Sequence, residues 1–380
     1  MASILLCCKY TTYAKNIDVS TLFECFLNFQ SVILSPIHMN NITKELTMNK
    51  LNKIGVSALC GSLAAISAAN AGDLTVTGGI DLTWMSEEDV TTGNPIGMGS
   101  NYTLKGSGEL DNGWTVDLSI ANGNGSAYSS TNVTVGLPGL GDVLVAHGTS
   151  GTGIQRYDDI TPTVWEEADG AGLSAGINKI AGTSAGGTIE VTPSEALPDG
   201  LTAHIAWSKD ADSGDTGDKV GGGTSGILGS GWDITLEASS DLHGVDGLTV
   251  YGGISEVEQF QNGTATNGDQ EEQVWGIKYA AGGFSVGWQR TDEETGNTTY
   301  TGYENTSYGI TFNVNDDLSI GYGHTDSDHE GGSNNAEADS LQAAYTMGGA
   351  TFRISQVDVE NQTYGTVDYK STILSLGLAF

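Results

Sequence analysis

Cysteine is nearly absent from this chain of 380 residues. The four present, Cys7, Cys8, Cys25 and Cys60, all precede residue 61. A scaffold held by disulfides would spread its cysteines through the folded part, so that class is excluded. Basic residues are scarce as well: 14 Lys and Arg stand against 47 Asp and Glu, a formal net charge of −33. A nucleic-acid binder needs a basic face for phosphates, which this balance does not provide. Apolar residues are 38% of the chain, too few for a helical membrane bundle. Proline is limited to 6 residues while glycine reaches 55, about twice the usual usage. That pairing disfavours long helices and collagen alike, and it suits a β-protein with many turns.

The N-terminal region reads as a leader. Met48 to Lys53 is a short basic start, Ile54 to Ile66 is apolar, and Ala69-Asn70-Ala71 places small residues at the −3 and −1 positions before Gly72-Asp73. This is the order and size of a secretory signal peptide, and it is too short for a membrane anchor. Cys60 does not mark a lipoprotein, because bulky Leu59 stands where a small residue is required. Residues 1–47 do not resemble the rest and are expected to be a non-native upstream extension, with translation starting at Met48. The expected organisation is therefore a signal peptide over 48–71 and a mature domain over 72–380.

From Leu74 to Phe380 the chain alternates with period two. Leu74, Val76, Ile80, Leu82 and Trp84 share one parity, and Thr75, Thr77, Asp81 and Thr83 take the other. The same pattern recurs around Trp114, Leu201, Trp232 and Trp275, and the run Leu374, Leu376, Leu378, Phe380 ends at the last residue. Each such strand has an apolar and a polar face. In a soluble sandwich the apolar faces meet in a core. In an outer-membrane barrel they meet lipid while the polar faces line a lumen.

Three features favour the barrel. Tight turns at 111–113, 138–142, 282–283, 313–317 and 347–349 alternate with longer acidic segments such as 86–98, 210–230 and 326–337. Aromatic residues gather at the ends of the apolar stripes: Trp84, Trp114, Trp207, Trp232, Trp288, Tyr322 and Phe380. Finally, about sixteen strands can be placed, an even number typical of single-chain barrels. They are expected near 73–85, 99–110, 114–122, 130–138, 143–148, 187–193, 201–209, 231–239, 248–256, 271–281, 284–292, 303–313, 318–326, 338–346, 350–360 and 369–380. The sixth is the least secure, since 173–177 could replace it. The expected fold class is all-β, a closed antiparallel transmembrane barrel with short periplasmic turns and long extracellular loops. Closure satisfies every backbone polar group in lipid without any cysteine.

A signal peptide, a Gly-rich acidic chain without cysteine and a terminal strand ending in Phe380 together resemble a Gram-negative general diffusion porin. Leu376, Leu378 and Phe380, with Leu374, resemble the C-terminal signal read by the outer-membrane assembly machinery. The resemblance covers Gly72 to Phe380. It implies sixteen strands, a homotrimer in outer-membrane lipid and lipopolysaccharide, and a third extracellular loop folded inward as an eyelet.

The third long loop lies between Val143–His147 and Thr188–Val191 and is roughly forty residues long, which is long for an idle connector. The resemblance puts its Asp158, Asp159, Glu166, Glu167 and Asp169 at the pore constriction; the plainer alternative is a solvated surface loop. Inward parity assigns Lys105, Lys278 and Arg353 to the lumen wall, since a lipid-facing charge would cost roughly 2–4 kcal/mol at mid-membrane. Asp81, Glu109, Asp117, Asp233 and Glu237 have the same parity. In the family, basic wall residues face the acidic loop; here bases are few, and the excess of wall acids predicts a preference for cations.

Remaining acids, among them Glu87, Glu88, Asp89, Asp210, Asp212, Asp215, Asp218, Asp292, Glu293, Glu294, Asp326 and Asp328, are expected in loops. No cofactor is expected beyond weak Ca²⁺ at these extracellular acids, and solvated charge is the favoured reading. Gly-x-Ser-x-Gly occurs at 172–176, 182–186 and 283–287, but three matches in a Gly- and Ser-rich chain lack the strand–turn–helix context of a nucleophile elbow. His204 has lumen parity and no evident acid partner in sequence. An enzyme is not expected. The leading function is passive diffusion of small hydrophilic solutes and ions through a water-filled channel in the outer membrane. The alternative is a plugged barrel acting as a surface adhesin or binding protein.

Overall fold

A computed structural model describes residues 74–88, 93–124, 130–147, 151–158, 160–172, 174–184, 186–211, 228–259, 268–296 and 302–379. The leader, the upstream extension, Asp89, Asp159, Asp212, Asp215, Asp218 and Phe380 lie outside the described residues.

The alternating segments become strands β1 (Thr75–Glu88), β2 (Ile96–Glu109), β3 (Thr115–Gly123), β4 (Ser130–Leu137), β5 (Gly141–His147), β6 (Gly187–Thr192), β7 (Leu201–Ser208) and β8 (Leu228–Ala238). They continue as β9 (Leu248–Gln259), β10 (Gln270–Ala281), β11 (Phe284–Glu294), β12 (Gly302–Asn313), β13 (Leu318–Glu330), β14 (Ala336–Met347), β15 (Ala350–Glu360) and β16 (Tyr369–Ala379). Each strand pairs antiparallel with its neighbours in sequence, and β16 closes the barrel on β1 from Gly79↔Ala379 to Glu88↔Lys370. The sixth strand falls where the alternation put it; of the alternative at 173–177, Leu173 lies outside the described residues and 174–177 are not in a strand.

Period two decides which side chains meet lipid. Leu82, Ile234, Ile277, Phe352 and Leu374 stand exposed on the outer face. Their strand neighbours Thr83, Thr235, Lys278, Arg353 and Ser375 point inward. Apolar side chains thus surround the barrel and polar ones line its lumen.

Two expectations are corrected. Segments 86–98 and 326–337 are not long loops: β1 runs to Glu88, β2 begins at Ile96, β13 reaches Glu330 and β14 begins at Ala336. Glu87, Glu88, Asp292, Glu293, Glu294, Asp326 and Asp328 therefore stand on strands. The backbone ladder continues beyond the apolar band, where water accepts an outward carboxylate at little cost. The wall is also uneven. Strands β3 to β7 have 9, 8, 7, 6 and 8 residues, whereas β1, with 14, and β13, with 13, are far taller.

Candidate functional site

The third long loop leaves β5, enters the lumen and returns to β6. Its described part begins at Gly151 and turns at once into a 3₁₀ helix, Gly153–Tyr157. Carboxylates on the inner wall capture its free backbone donors. Glu190 on β6 accepts the Gly153 N–H at 2.7 Å and the Arg156 guanidinium at 2.5 Å. Asp233 on β8 accepts the Ile154 N–H at 3.1 Å. The returning arm is held by the same row. Asp233 also accepts from the Thr183 N–H at 3.2 Å and the Thr183 hydroxyl at 2.9 Å. Glu272 on β10 accepts the Ala181 and Gly182 N–H groups at 3.1 and 2.6 Å. Buried backbone N–H groups need such acceptors, and an anionic acceptor is the stronger kind.

Between these arms the loop crosses the tall wall. Gln289 donates to the Tyr157 carbonyl at 2.6 Å, and Gln342 accepts the Trp165 N–H at 2.8 Å. Pro162 lies against Gly287 and Gly309, and Val164 against Gly321, where side chains would collide with the loop. Ala168, Ala171 and Ala175 then pack on inward-facing Ala338, Val357, Val359, Tyr369 and Ile373. A second apolar contact joins Ile154, Tyr157 and Ile180 to Tyr251 and Val274, with the Tyr157 and Tyr251 rings stacked at 4.7 Å. Burial, with the charge of Glu237 adding to it, pushes the Tyr157 hydroxyl up to about 12. The segment after β15 closes over the loop: Thr363 donates to the Ala175 carbonyl at 2.8 Å, and the Asn178 N–H donates to the Tyr364 hydroxyl at 2.9 Å.

The loop therefore lines β8 to β16, and the passage runs between it and the opposite wall. Exposed Glu166 borders two recesses in this passage. One, of 240 Å³, includes Met85, Trp165 and Ile373. The other, of 550 Å³, includes Asp81, Asn101, Thr351 and Arg353. Arg353 Nη1 lies 3.3 Å from an Asp81 carboxylate oxygen, and its guanidinium stands 5.7 Å from the Trp165 ring centroid. Partial burial of its carboxyl against the loop raises the Glu166 pKa, and the charges of Glu167 and Asp81 push it the same way.

The residues singled out in the sequence are distributed as follows. Glu167 pairs with Lys179 on the returning arm at 2.7 Å. Asp169, 4% exposed, is 3.4 Å from the same amine and turns away from the open passage; burial raises its carboxyl although Lys179 opposes the shift. Asp158 borders a small void behind the loop together with Glu167 and Asp169. Lys105 and Asp117 line a further recess of 500 Å³ on the low wall. Glu109 stands opposite Thr115 in the β2–β3 ladder. Lys278 lies 5.5 Å from the Tyr251 ring, and Glu237 is half-buried on β8 opposite Thr202. Asp233 faces inward but is not a wall acid of the open lumen. It is 0% exposed, because the loop it holds covers it.

His204 does have an acid partner. Its Nδ1 lies 3.4 Å from Glu190 and 2.8 Å from the Thr192 hydroxyl. Glu190, Glu272, Gln289 and Gln342 escaped the sequence reading altogether. The available signal was inward apolar residues such as Val274, Val357 and Val359, which mark wall covered by something other than water.

A family model described as Gram-negative porin matches residues 55–351. Among curated proteins none matches. The fold is similar to that of solved porins. The anion-selective porin from Comamonas acidovorans has 14% identity and a TM-score of 0.58, covering 81% of this chain and 99% of that one. Salmonella typhi OmpF, in a complex with daunomycin, has 12% identity and a TM-score of 0.60, with 81% and 98% covered. A mutant of the Rh. blastica porin has 14% identity and a TM-score of 0.52, with 81% and 100% covered. At these identities the likeness is one of fold.

Proposed function

The chain belongs to the Gram-negative porin family, and on that premise we propose that it forms a water-filled, cation-preferring outer-membrane channel for passive diffusion of small hydrophilic solutes and ions. One observation carries the reading: the third loop is pinned flush against the tall wall, which supports a lumen that is narrowed and not filled. Family and fold speak for a channel rather than an enzyme.

The preference for cations rests on the groups that border the open passage. Glu166, Asp81 and Asp117 outnumber Arg353 and Lys105, and the pairing of Arg353 with Asp81 leaves Glu166 and Asp117 against Lys105. Glu166 is the constriction residue in this reading, with Asp158 and Glu167 behind it. In a narrow passage of low-dielectric walls, an excess of one sign raises the local concentration of the opposite ion.

The low wall supports a homotrimer. Six to nine residues at about 3.4 Å each, tilted by about 45°, rise only roughly 14–22 Å, against an apolar band of about 25 Å. Exposed Leu118, Val145, Ile189 and Ile205 on these short strands suit a protein neighbour better than a full lipid leaflet. Elsewhere the apolar belt would meet lipid and lipopolysaccharide. Export would use the 48–71 signal peptide, and β16 would present Leu376, Leu378 and Phe380 to the assembly machinery.

Planar-bilayer recording and liposome swelling test the channel together. Stable conductance steps that scale with salt, and swelling in small neutral sugars, are expected. Silent bilayers from a protein that keeps its heat-stable β-structure would overturn the reading.

A further inference from the structure

Acids that seat the third loop share one inward row of the ladder. Asp233 on β8 stands opposite Ser255 on β9, Ser255 opposite Glu272 on β10, and Glu272 opposite Glu293 on β11. Each of the four is at most 9% exposed. The Gln270 side-chain amide donates to both glutamates, at 2.9 and 3.0 Å. Glu272 also accepts the Ala181 and Gly182 N–H groups, and the Asn178 amide donates to Glu293. Among the described residues no base pairs with Asp233, Glu272 or Glu293. The loop's own bases are engaged elsewhere, Arg156 by Glu190 and Lys179 by Glu167 and Asp169. Ser255 Oγ and Asp233 Oδ1, both buried in this row, make no hydrogen bond.

Two buried carboxylates side by side without a base do not both keep their charge. Among the described residues no acids and histidines converge to hold a metal ion, so a proton is the species that relieves the row. The row lies above the apolar band, since the outward neighbours of the two glutamates are Glu271, Gln273, Asp292 and Glu294. Burial raises both carboxyls; at Glu272 the charges of Glu293 and Asp233 add to it, and the Ala181 and Gly182 N–H groups oppose it. The Tyr303 phenol, opposite Glu293 on β12, and the Tyr364 phenol complete the titratable groups around the pair.

We propose that Glu272 and Glu293 form a proton-held latch: the pair shares one proton while the returning arm of the third loop is docked, and losing it releases the arm. The two are positioning residues, which act on the passage through the loop. A raised pair keeps in the docked state a proton that the free arm would give up. Docking is fullest below the ordinary carboxylate range and is lost as pH rises through the raised values. The effect on current rests on the channel reading, whereas the latch itself does not.

Trypsin cleavage after Lys179 reads the arm in the full protein in detergent, and single-channel current reads it in a bilayer. Between about pH 6 and about pH 9, cleavage of the parent rises by up to about tenfold per pH unit, the limit for one proton, and its open current becomes noisier. Glu293→Gln mimics the protonated acid, so its arm stays docked and its current quiet throughout. The ratio of parent to variant at each pH removes trypsin's own pH dependence. Glu293→Leu, which also carries no charge, serves if the Gln variant does not assemble. A flat ratio, or the same step in parent and variant, overturns the latch. A cleavage step in a parent that passes no current at any pH supports the latch and defeats the channel.

Discussion

A Cβ built on Gly309 would stand 2.2 Å from the carbonyl oxygen of Pro162. Gly309 is flanked in the ladder by Gly287 and Gly323, so three adjacent inward positions carry no side chain. The third loop crosses the wall in the trough they leave, and this keeps its bulk out of the passage. Glycine is required here for close approach, not for its backbone angles.

Gly309→Val should therefore lift the loop into the lumen. Overpacking at such a contact costs about 1–3 kcal/mol. Lower single-channel conductance and a lower melting temperature are expected. Gly106→Ala is the control, because a Cβ there meets nothing within 4 Å. Unchanged conductance in Gly309→Val would show that the loop does not rest in the trough.

Asp233→Ala should free the loop without opening the barrel. The substitution orphans the Ile154 N–H, the Thr183 N–H and the Thr183 hydroxyl. Each buried donor left unpaired costs about 1–3 kcal/mol. Greater current noise and new protease cleavage within 151–186 are expected, with the heat-stable β-signal retained. Cleavage identical to the parent protein would contradict the anchor.

The strand β15 shows how far alternation could be read. Phe352 and Ile354 face outward, yet Val357 and Val359 face inward, and the ladders to β14 and β16 run unbroken between them. Below the switch the outer face meets lipid and the inner face meets water. Above it the outer face meets water and the inner face meets the loop. Parity alone placed all sixteen strands, because lipid and lumen alternate along most of each one. The strand ends were misjudged because the alternation reverses sense there while the backbone pairing persists. The anchors were harder still. Glu190 is a single acid in a short Thr-rich strand, and its partners Gly153 and Arg156 lie more than thirty residues earlier. Glu166 was legible as an acid of the loop, but only the fold separates it from buried Asp169.

Acidification should weaken the preference for cations early. Burial raises the Glu166 and Asp169 carboxyls; Glu167 adds to both, Asp81 adds at Glu166, Arg353 and Lys179 oppose at Glu166, and Lys179 opposes at Asp169. A raised carboxyl keeps in the docked loop a proton that a free loop would release. Docking is thus strongest below the ordinary carboxylate range and weakens as pH rises through that range to the raised values. For permeation the same shift means that Glu166 loses its charge above the usual glutamate pKa of about 4.3 as pH falls. Reversal potentials across a pH series should show this early step in the parent protein and lack it in Glu166→Gln. One titration in the ordinary range, identical in both proteins, would contradict it.

Arg353→Gln should strengthen the preference for cations. Removing this base leaves Asp81 unpaired beside Glu166. A charge–charge term of about 0.5–1 kcal/mol in a watery passage corresponds to roughly a two- to fivefold rise in the cation-to-anion permeability ratio. An unchanged ratio would place Arg353 outside the ion path.

The most direct test of a water-filled, acid-lined channel is the zero-current potential of the purified protein across a steep KCl gradient. Potassium passing ahead of chloride should make the dilute compartment positive. A negative dilute compartment would contradict the account.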